Sequence, residues 1–159
     1  LFANVVGYSK LSEVDVAQFI QQFVRYQKYM GDAFYFVFSS VEDAVHFALT
    51  QRDLIRDTDW AIRGLPPDII TIVLHTDPAY RFADQMIQQL NFSGSHVSRA
   101  ARIEPITPPG QVYASEHFAS LIVANNITDI TCDYVGLLQL AKNYGTFRIY
   151  HVRRSHEPE

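Results

Sequence analysis

The chain has 159 residues, the length of a single domain, and 48% of them are hydrophobic, including 11 Phe and 9 Tyr. Such a chain can bury a core without disulfide or metal staples, and its 19% charged content is not that of a disordered segment. The net charge is −4, no Lys/Arg run stands out beyond Arg153-Arg154, and the one cysteine excludes an intrachain disulfide, so the broad basic footprint of a nucleic-acid or anionic-lipid binder is missing.

No apolar stretch approaches the ~20 residues of a membrane span, and no secretory signal is present within these residues. With a lone thiol suited to a reducing compartment, these features predict a cytoplasmic domain without direct membrane contact. The opening Leu1-Phe2-Ala3 is that expected of a domain excised from a larger parent. The domain is expected to span residues 1–154, with 155–159 as a tail.

In chain order, Leu1 to Val6 reads as a short buried strand closed by Gly7. Ser12-Glu13-Val14-Asp15 has the form of a capping box. Behind it, Val16, Phe19, Ile20 and Phe23 recur at helical spacing, predicting a helix over about 13–26. Ala33 to Ser39 is aromatic-rich and strand-like. Ser40 opens a second helix, with Ala44, Phe47, Ala48 and Ile55 on one face. Residues 56–68 form a loop carrying Gly64 and Pro66-Pro67.

Ile69 to His75, rich in Ile and Val, is the clearest strand. Tyr80 to Gln89 is ambiguous and fits an extended excursion. A helix is expected over about 95–104, ended by Pro105. Pro108-Pro109-Gly110 is a turn, Gln111 to Ala114 a strand, and Ser115 the cap of a short helix reaching about Ala124. Two strands, Ile130 to Leu140 and Thr146 to Val152, complete the domain. Cys132 lies in a strand-like run, where a buried inert thiol is the expected state. The element order suits an α+β sandwich with helices on one side of a mixed sheet.

The common phosphate and metal signatures are absent: there is no Gly-x-x-x-x-Gly-Lys-Ser/Thr loop, no strand-anchored Gly-x-Gly-x-x-Gly, no His-Glu-x-x-His and no cysteine pair. His46 and His117 fall in helices, where solvated or satisfied positions are expected. His75 ends a strand beside Thr76 and Asp77 and is a candidate for lining a cleft. Three segments carry more information. Phe2-Ala3-Asn4-Val5-Val6-Gly7-Tyr8-Ser9 is an apolar strand with one polar residue. Gly31-Asp32 directly precedes an aromatic strand. Gly94-Ser95-His96-Val97-Ser98-Arg99-Ala100-Ala101-Arg102 is a glycine entry into a helix that sets Ser98 and Arg102 one turn apart.

Together these segments resemble the catalytic domain of class III adenylate and guanylate cyclases. The likeness continues through Pro108-Pro109-Gly110-Gln111-Val112-Tyr113-Ala114-Ser115 and Leu140-Ala141-Lys142-Asn143-Tyr144-Gly145-Thr146-Phe147, so it covers nearly the whole chain. It implies a ferredoxin-like α+β sandwich with a mixed, mostly antiparallel sheet. It also implies head-to-tail pairing, as a homodimer or with another cyclase domain, with active sites at the interface. The implied reaction is conversion of ATP, or GTP, to a 3′,5′-cyclic nucleotide and pyrophosphate in intracellular signalling.

By the same resemblance, two Asp residues hold two divalent ions, Mg²⁺ or Mn²⁺, that neutralise the triphosphate and activate the 3′-hydroxyl. Asp32 matches one position. The other is Asn4, which keeps a carbonyl oxygen but not the charge. At ~4 Å a screened unit charge is worth a few kcal/mol, so metal binding is expected to be weakened. Arg102 matches the family Arg that steadies phosphate as charge builds, and Ser98 stands where the family has Asn. For the base, Lys28 and Asn91 fall at the reading positions by spacing. The late family Lys aligns with Tyr144, while Lys142 lies two residues away as a substitute. With Asn4 and Ser98 off the pattern, an enzyme and a catalytically degenerate regulatory or dimerisation module both remain open.

The interval from Asn4 to Asp32 is short for a helix, a connection and a leading strand of ~5 residues. Two explanations fit: deletion of that strand, or a hidden break between about Arg25 and Gly31. Under the second, Lys28 says little about base choice.

Overall fold

The computed structural model describes residues 2–5, 28–30, 33–59, 70–77, 80–84, 89–93 and 95–158. The helix expected over 13–26 and most of the 56–68 loop lie outside the described residues. Nine strands are described: β1 Phe2–Val5, β2 Lys28–Met30, β3 Ala33–Tyr35, β4 Ile70–Leu74, β5 Tyr80–Asp84, β6 Gln89–Ser93, β7 Val112–Ser115, β8 Ile130–Gln139 and β9 Thr146–Arg154. Among the described residues the helices are α1 Val41–Arg56, α2 Ser95–Ile103 and α3 Glu116–Ala124. Seven strands form one mixed sheet in the order β2-β3-β1-β4-β7-β9-β8, and β5 pairs with β6 in a separate ribbon. Only β4 and β7 run parallel in the described sheet; the other pairings are antiparallel. This is the expected α+β class.

Local chemistry sets these elements. Ile70-Thr71-Ile72-Val73-Leu74 is largely β-branched and buried at all five positions, as a strand covered on both faces must be. Ser40 caps α1 by accepting the Asp43 N–H at 3.2 Å, with Glu42 and Asp43 in the first turn, where carboxylates complement the helix dipole. Ser115 caps α3 in the same way, through the Phe118 N–H.

The strands alternate between two cores. Ile70, Ile72, Leu74, Val112, Ala114 and Val152 pack with α1 and α3 in one cluster. Val73, Tyr113 and Ile149 pack with Ala100 and Ile103 of α2 in the other. Helices therefore lie on both faces of the sheet, not on one side as the element order suggested. The reason is period two: adjacent residues of β4 and β7 point to opposite faces, and both sets are apolar.

Two further expectations change. The strand ahead of Gly31 is present as the three-residue β2, paired with β3 from Lys28↔Tyr35 to Met30↔Ala33. It is not deleted, and residues 25–27 and 31, where a hidden break was the alternative, lie outside the described residues. The aromatic strand expected over 33–39 stops at Tyr35. Phe36 and Phe38 instead turn their rings onto Phe47 of α1, at 4.9 and 5.3 Å between centroids.

The last residues are bound back to the fold. The Ser155 N–H donates to the Asp129 carbonyl at 2.8 Å, and the Ser155 hydroxyl to that of Thr128 at 3.0 Å. Glu157 accepts from Arg52 of α1 and from Arg154. No helix among the described residues is long and apolar enough to cross a membrane.

Candidate functional site

The helix α2 organises the candidate site. Ala100 and Ile103 seat it on the core, and it lies against β1, β4 and the turn between β8 and β9. One turn of sequence, Arg99 to Arg102, leaves this apolar stripe with two guanidinium groups beside it. The Nε of Arg102 is buried and has no hydrogen-bond partner. A sealed donor without an acceptor costs free energy that a bound anion can recover. Ser98 is on the preceding turn of the same helix.

Strand register places one of the two candidate metal positions. Asn4 of β1 pairs with Ala33 of β3 and with Thr71 of β4. Asp32 immediately precedes Ala33 and lies outside the described residues. The register thus sets Asn4 opposite Ala33, the residue that follows Asp32 in sequence. An amide and a carboxylate are hard oxygen donors and fit a divalent cation, with one negative charge fewer than a carboxylate pair. Among the described residues no group of three or more His, Cys, Asp or Glu forms a metal cluster.

Asn91 sits in β6 opposite Phe82, one element before α2. Lys28 sits in β2 opposite Tyr35. Lys142 and Tyr144 lie in the turn between β8 and β9, but differently. Lys142 is exposed, at a left-handed φ of 58°. Tyr144 is half-buried, stacked on Phe147 at 6.3 Å between centroids, and packs against the same cluster as α2. The structure therefore brings Arg102, β1 and Tyr144 to one region and leaves Lys142 at its rim.

His75 does not line an open cleft. Its side chain is 3% exposed, with Nε2 3.0 Å from Asp77 Oδ2 and Nδ1 2.8 Å from Ser115 Oγ. The order Ser, His, Asp is that of a nucleophile triad, but Ser115 is buried and its hydroxyl caps α3, so no substrate reaches it. Asp77 Oδ2 is also 3.1 Å from Nη1 of Arg99, whose guanidinium carbon lies 5.2 Å from the centroid of the Phe147 ring. The sequence marked Asp77 only as a neighbour of His75 and gave Arg99 no role. Their signal was a carboxylate at the end of β4 and a second Arg one turn before Arg102.

A separate open cavity of about 540 Å³ lies over β7, β9 and β8, lined in part by Gln111, Tyr113, Asp133 and His151. Burial pushes the Tyr113 phenol up and holds His151 below the usual imidazole range. Cys132, on its wall, is pushed up to about 11, first by burial and then by Asp133, in keeping with an inert thiol. Among the described residues, none of the site residues named from the sequence lines this cavity. His46 is satisfied by Asp129 at 2.9 Å.

Solved structures share this architecture. An adenylate cyclase from Trypanosoma brucei in its monomeric state matches with a TM-score of 0.76 at 16% identity, over 99% of this chain and 88% of that one. The adenylyl cyclase CyaB from P. aeruginosa matches at 0.69 and 17% identity, over 98% and 93%. The guanylate cyclase domain of RhGC from Catenaria anguillulae, in complex with GTP, matches at 0.63 and 17% identity, over 96% and 93%. The fold is that of class III adenylate and guanylate cyclase catalytic domains, as the sequence motifs implied. No protein-family model and no curated protein matches the chain.

Proposed function

We propose that this chain is a nucleotide cyclase domain that converts ATP to 3′,5′-cyclic AMP and pyrophosphate, at a rate lowered by Asn4 and Ser98. The observation that carries the reading is the buried, unpartnered Nε of Arg102 on α2, within a fold shared with cyclases over nearly the whole chain. In the reaction the 3′-oxygen bonds to the α-phosphorus, the bond to the β-phosphate oxygen breaks, and pyrophosphate leaves. Charge builds on the α-phosphate oxygens as this happens. Arg102 answers that charge with a guanidinium donor held in place before the reaction. Ser98, one turn earlier on α2, would act there with a hydroxyl through water, with less preorganisation than an amide.

Asn91 accepts from the adenine amino group through its carbonyl oxygen. Tyr144, with Lys142 at the rim, faces the outer phosphates. Asp32 and Asn4 would hold Mg²⁺ or Mn²⁺, which supplies charge neutralisation and lowers the pKa of the 3′-hydroxyl. The domain works as a pair, with itself or with another cyclase domain that contributes the better-equipped half-site. It acts in the cytoplasm in signalling, and it contacts neither nucleic acid nor membrane directly.

A second reading is a regulatory or dimerisation module. It is favoured by two departures in one chain, Asn4 for a carboxylate and Ser98 for an amide. The double substitution Asn4→Asp with Ser98→Asn separates the two. On the enzyme reading it raises cyclic nucleotide production at least ten-fold. No rise, in a folded and paired protein, supports the regulatory module.

A further inference from the structure

The strongest unexplained feature outside the proposed reacting groups is the chain of contacts that ends on Arg99. It starts at the cap of α3. Ser115 Oγ meets His75 Nδ1 at 2.8 Å, and the other imidazole nitrogen is 3.0 Å from Asp77 Oδ2. That carboxylate oxygen meets Arg99 Nη1 at 3.1 Å, and the Arg99 guanidinium lies over the Phe147 ring of β9. The side chains of Asp77 and Arg99 are only 19% and 23% exposed. Partial burial strengthens the pair relative to a surface ion pair.

We propose that Asp77 is a positioning residue: resting on the cyclase reading above, it fixes the rotation of α2 through Arg99 and so aims Arg102 at the reacting phosphate. Three points carry this. Arg99 is gripped from two directions, by a carboxylate at the end of β4 and by an aromatic face on β9. Asp77 Oδ2 also lies 3.0 Å from Nε2 of His75, whose Nδ1 meets the hydroxyl of the buried Ser115 at 2.8 Å. Arg102 follows Arg99 by three residues on α2, so the polar contacts of Arg99 act on the same short helix that Ala100 and Ile103 seat in the core. At about 100° per residue the two arginines lie about 60° apart around the axis, so a shift of α2 released at Arg99 carries the Arg102 guanidinium with it. Misplacement by ~1 Å can cost about a hundred-fold in rate.

The test reads helix positioning and chemistry separately, in the full chain. Hydrogen–deuterium exchange of peptides covering Ser95–Ile103 is compared in wild type, Asp77→Asn, Asp77→Glu and Arg99→Gln, each with a thermal unfolding curve. Asp77→Asn and Arg99→Gln are expected to speed exchange of α2 at least ten-fold, with α1 and α3 unchanged. The double variant should be no faster than either alone, and Asp77→Glu should restore most of the protection. With ATP and Mn²⁺, Asp77→Asn is expected to lower kcat at least ten-fold and leave KM within three-fold.

Unchanged exchange of α2 in folded variants overturns the proposal. So does faster exchange with kcat intact. If Asp77→Asn does not fold, Arg99→Gln decides by the same criteria. A wild-type protein that makes no cyclic nucleotide defeats the cyclase reading alone, and the exchange result still decides whether Asp77 holds the helix.

Discussion

Glu157 is the most exacting place to perturb the fold away from the candidate site. Its carboxylate accepts from Arg52 Nη1 at 3.0 Å and from the Arg154 N–H at 3.0 Å, with further contacts from Arg52 Nη2 and Arg154 Nη1. The Arg52 side chain is only 8% exposed. Burial alone would raise the Glu157 pKa, but the hydrogen bonds and charges of Arg52 and Arg154 outweigh it and hold the group at about 2, against an ordinary 4.5.

That gap corresponds to roughly 3 kcal/mol. One-fifth of the side chain is open to solvent, and screening reduces the figure to about 2 kcal/mol. Because the folded-state pKa is depressed, this stability is fully present above pH ~4.5 and is lost as pH falls toward ~2. Glu157→Gln should therefore lower stability at pH 7 by about 2 kcal/mol, or a Tm drop of about 4–8 °C for a domain of this size. Arg52 keeps Asp53 at 2.8 Å, which limits the loss below that of an orphaned buried charge. Urea unfolding of both proteins at pH 7 and pH 2.5 measures it. Equal stability at pH 7, or a difference that does not shrink at pH 2.5, refutes the clasp.

Three further outcomes follow from particular contacts. Arg102→Ala should cut cyclic nucleotide production about a hundred-fold or more while the unfolding midpoint stays close to wild type; retained turnover would remove Arg102 from the site. Cys132, held at about 11, should react with iodoacetamide at pH 8 far more slowly than a free thiol and reach that rate only in denaturant; rapid labelling of the native protein contradicts the buried thiol. Gly145 has a φ of +114°, and an added Cβ would meet Phe147 Cε2 at 3.2 Å. Gly145→Ala should thus destabilise by about 1–3 kcal/mol and disturb the ring under Arg99. An unchanged denaturation midpoint would show that the turn tolerates a side chain.

Much of the fold was legible because its signals are local. The caps at Ser40 and Ser115, the β-branched run of β4 and the proline at the end of α2 each fix a boundary from a few neighbouring residues. What was not legible depends on distant partners. Lys28–Met30 is too short to show a strand pattern and is a strand because β3 folds back on it. Helices on both faces of the sheet follow from the opposed alternation of β4 and β7, which reads as one apolar run in sequence. The end of the aromatic strand at Tyr35 reflects Phe47, whose ring draws Phe36 and Phe38 aside.

The candidate site divides in the same way. Arg102 and Ser98 stood out because a glycine entry and helical spacing mark them in sequence. His75 was visible only as a strand-end histidine, and its partners Asp77 and Ser115 come from the end of β4 and from β7. Arg99 does not stand out in sequence, because Phe147 and Asp77, which contact it, come from distant segments. Spacing alone also placed Lys142 and Tyr144 side by side, whereas backbone conformation puts one at the rim and the other against the core.

The most direct test of the central claim is cyclic nucleotide production by the purified protein, at high concentration, with ATP or GTP and excess Mn²⁺. Cyclic AMP is expected from ATP above matched Asp32→Ala and Arg102→Ala controls. No product above those controls, from protein shown to be folded and paired, would contradict that claim.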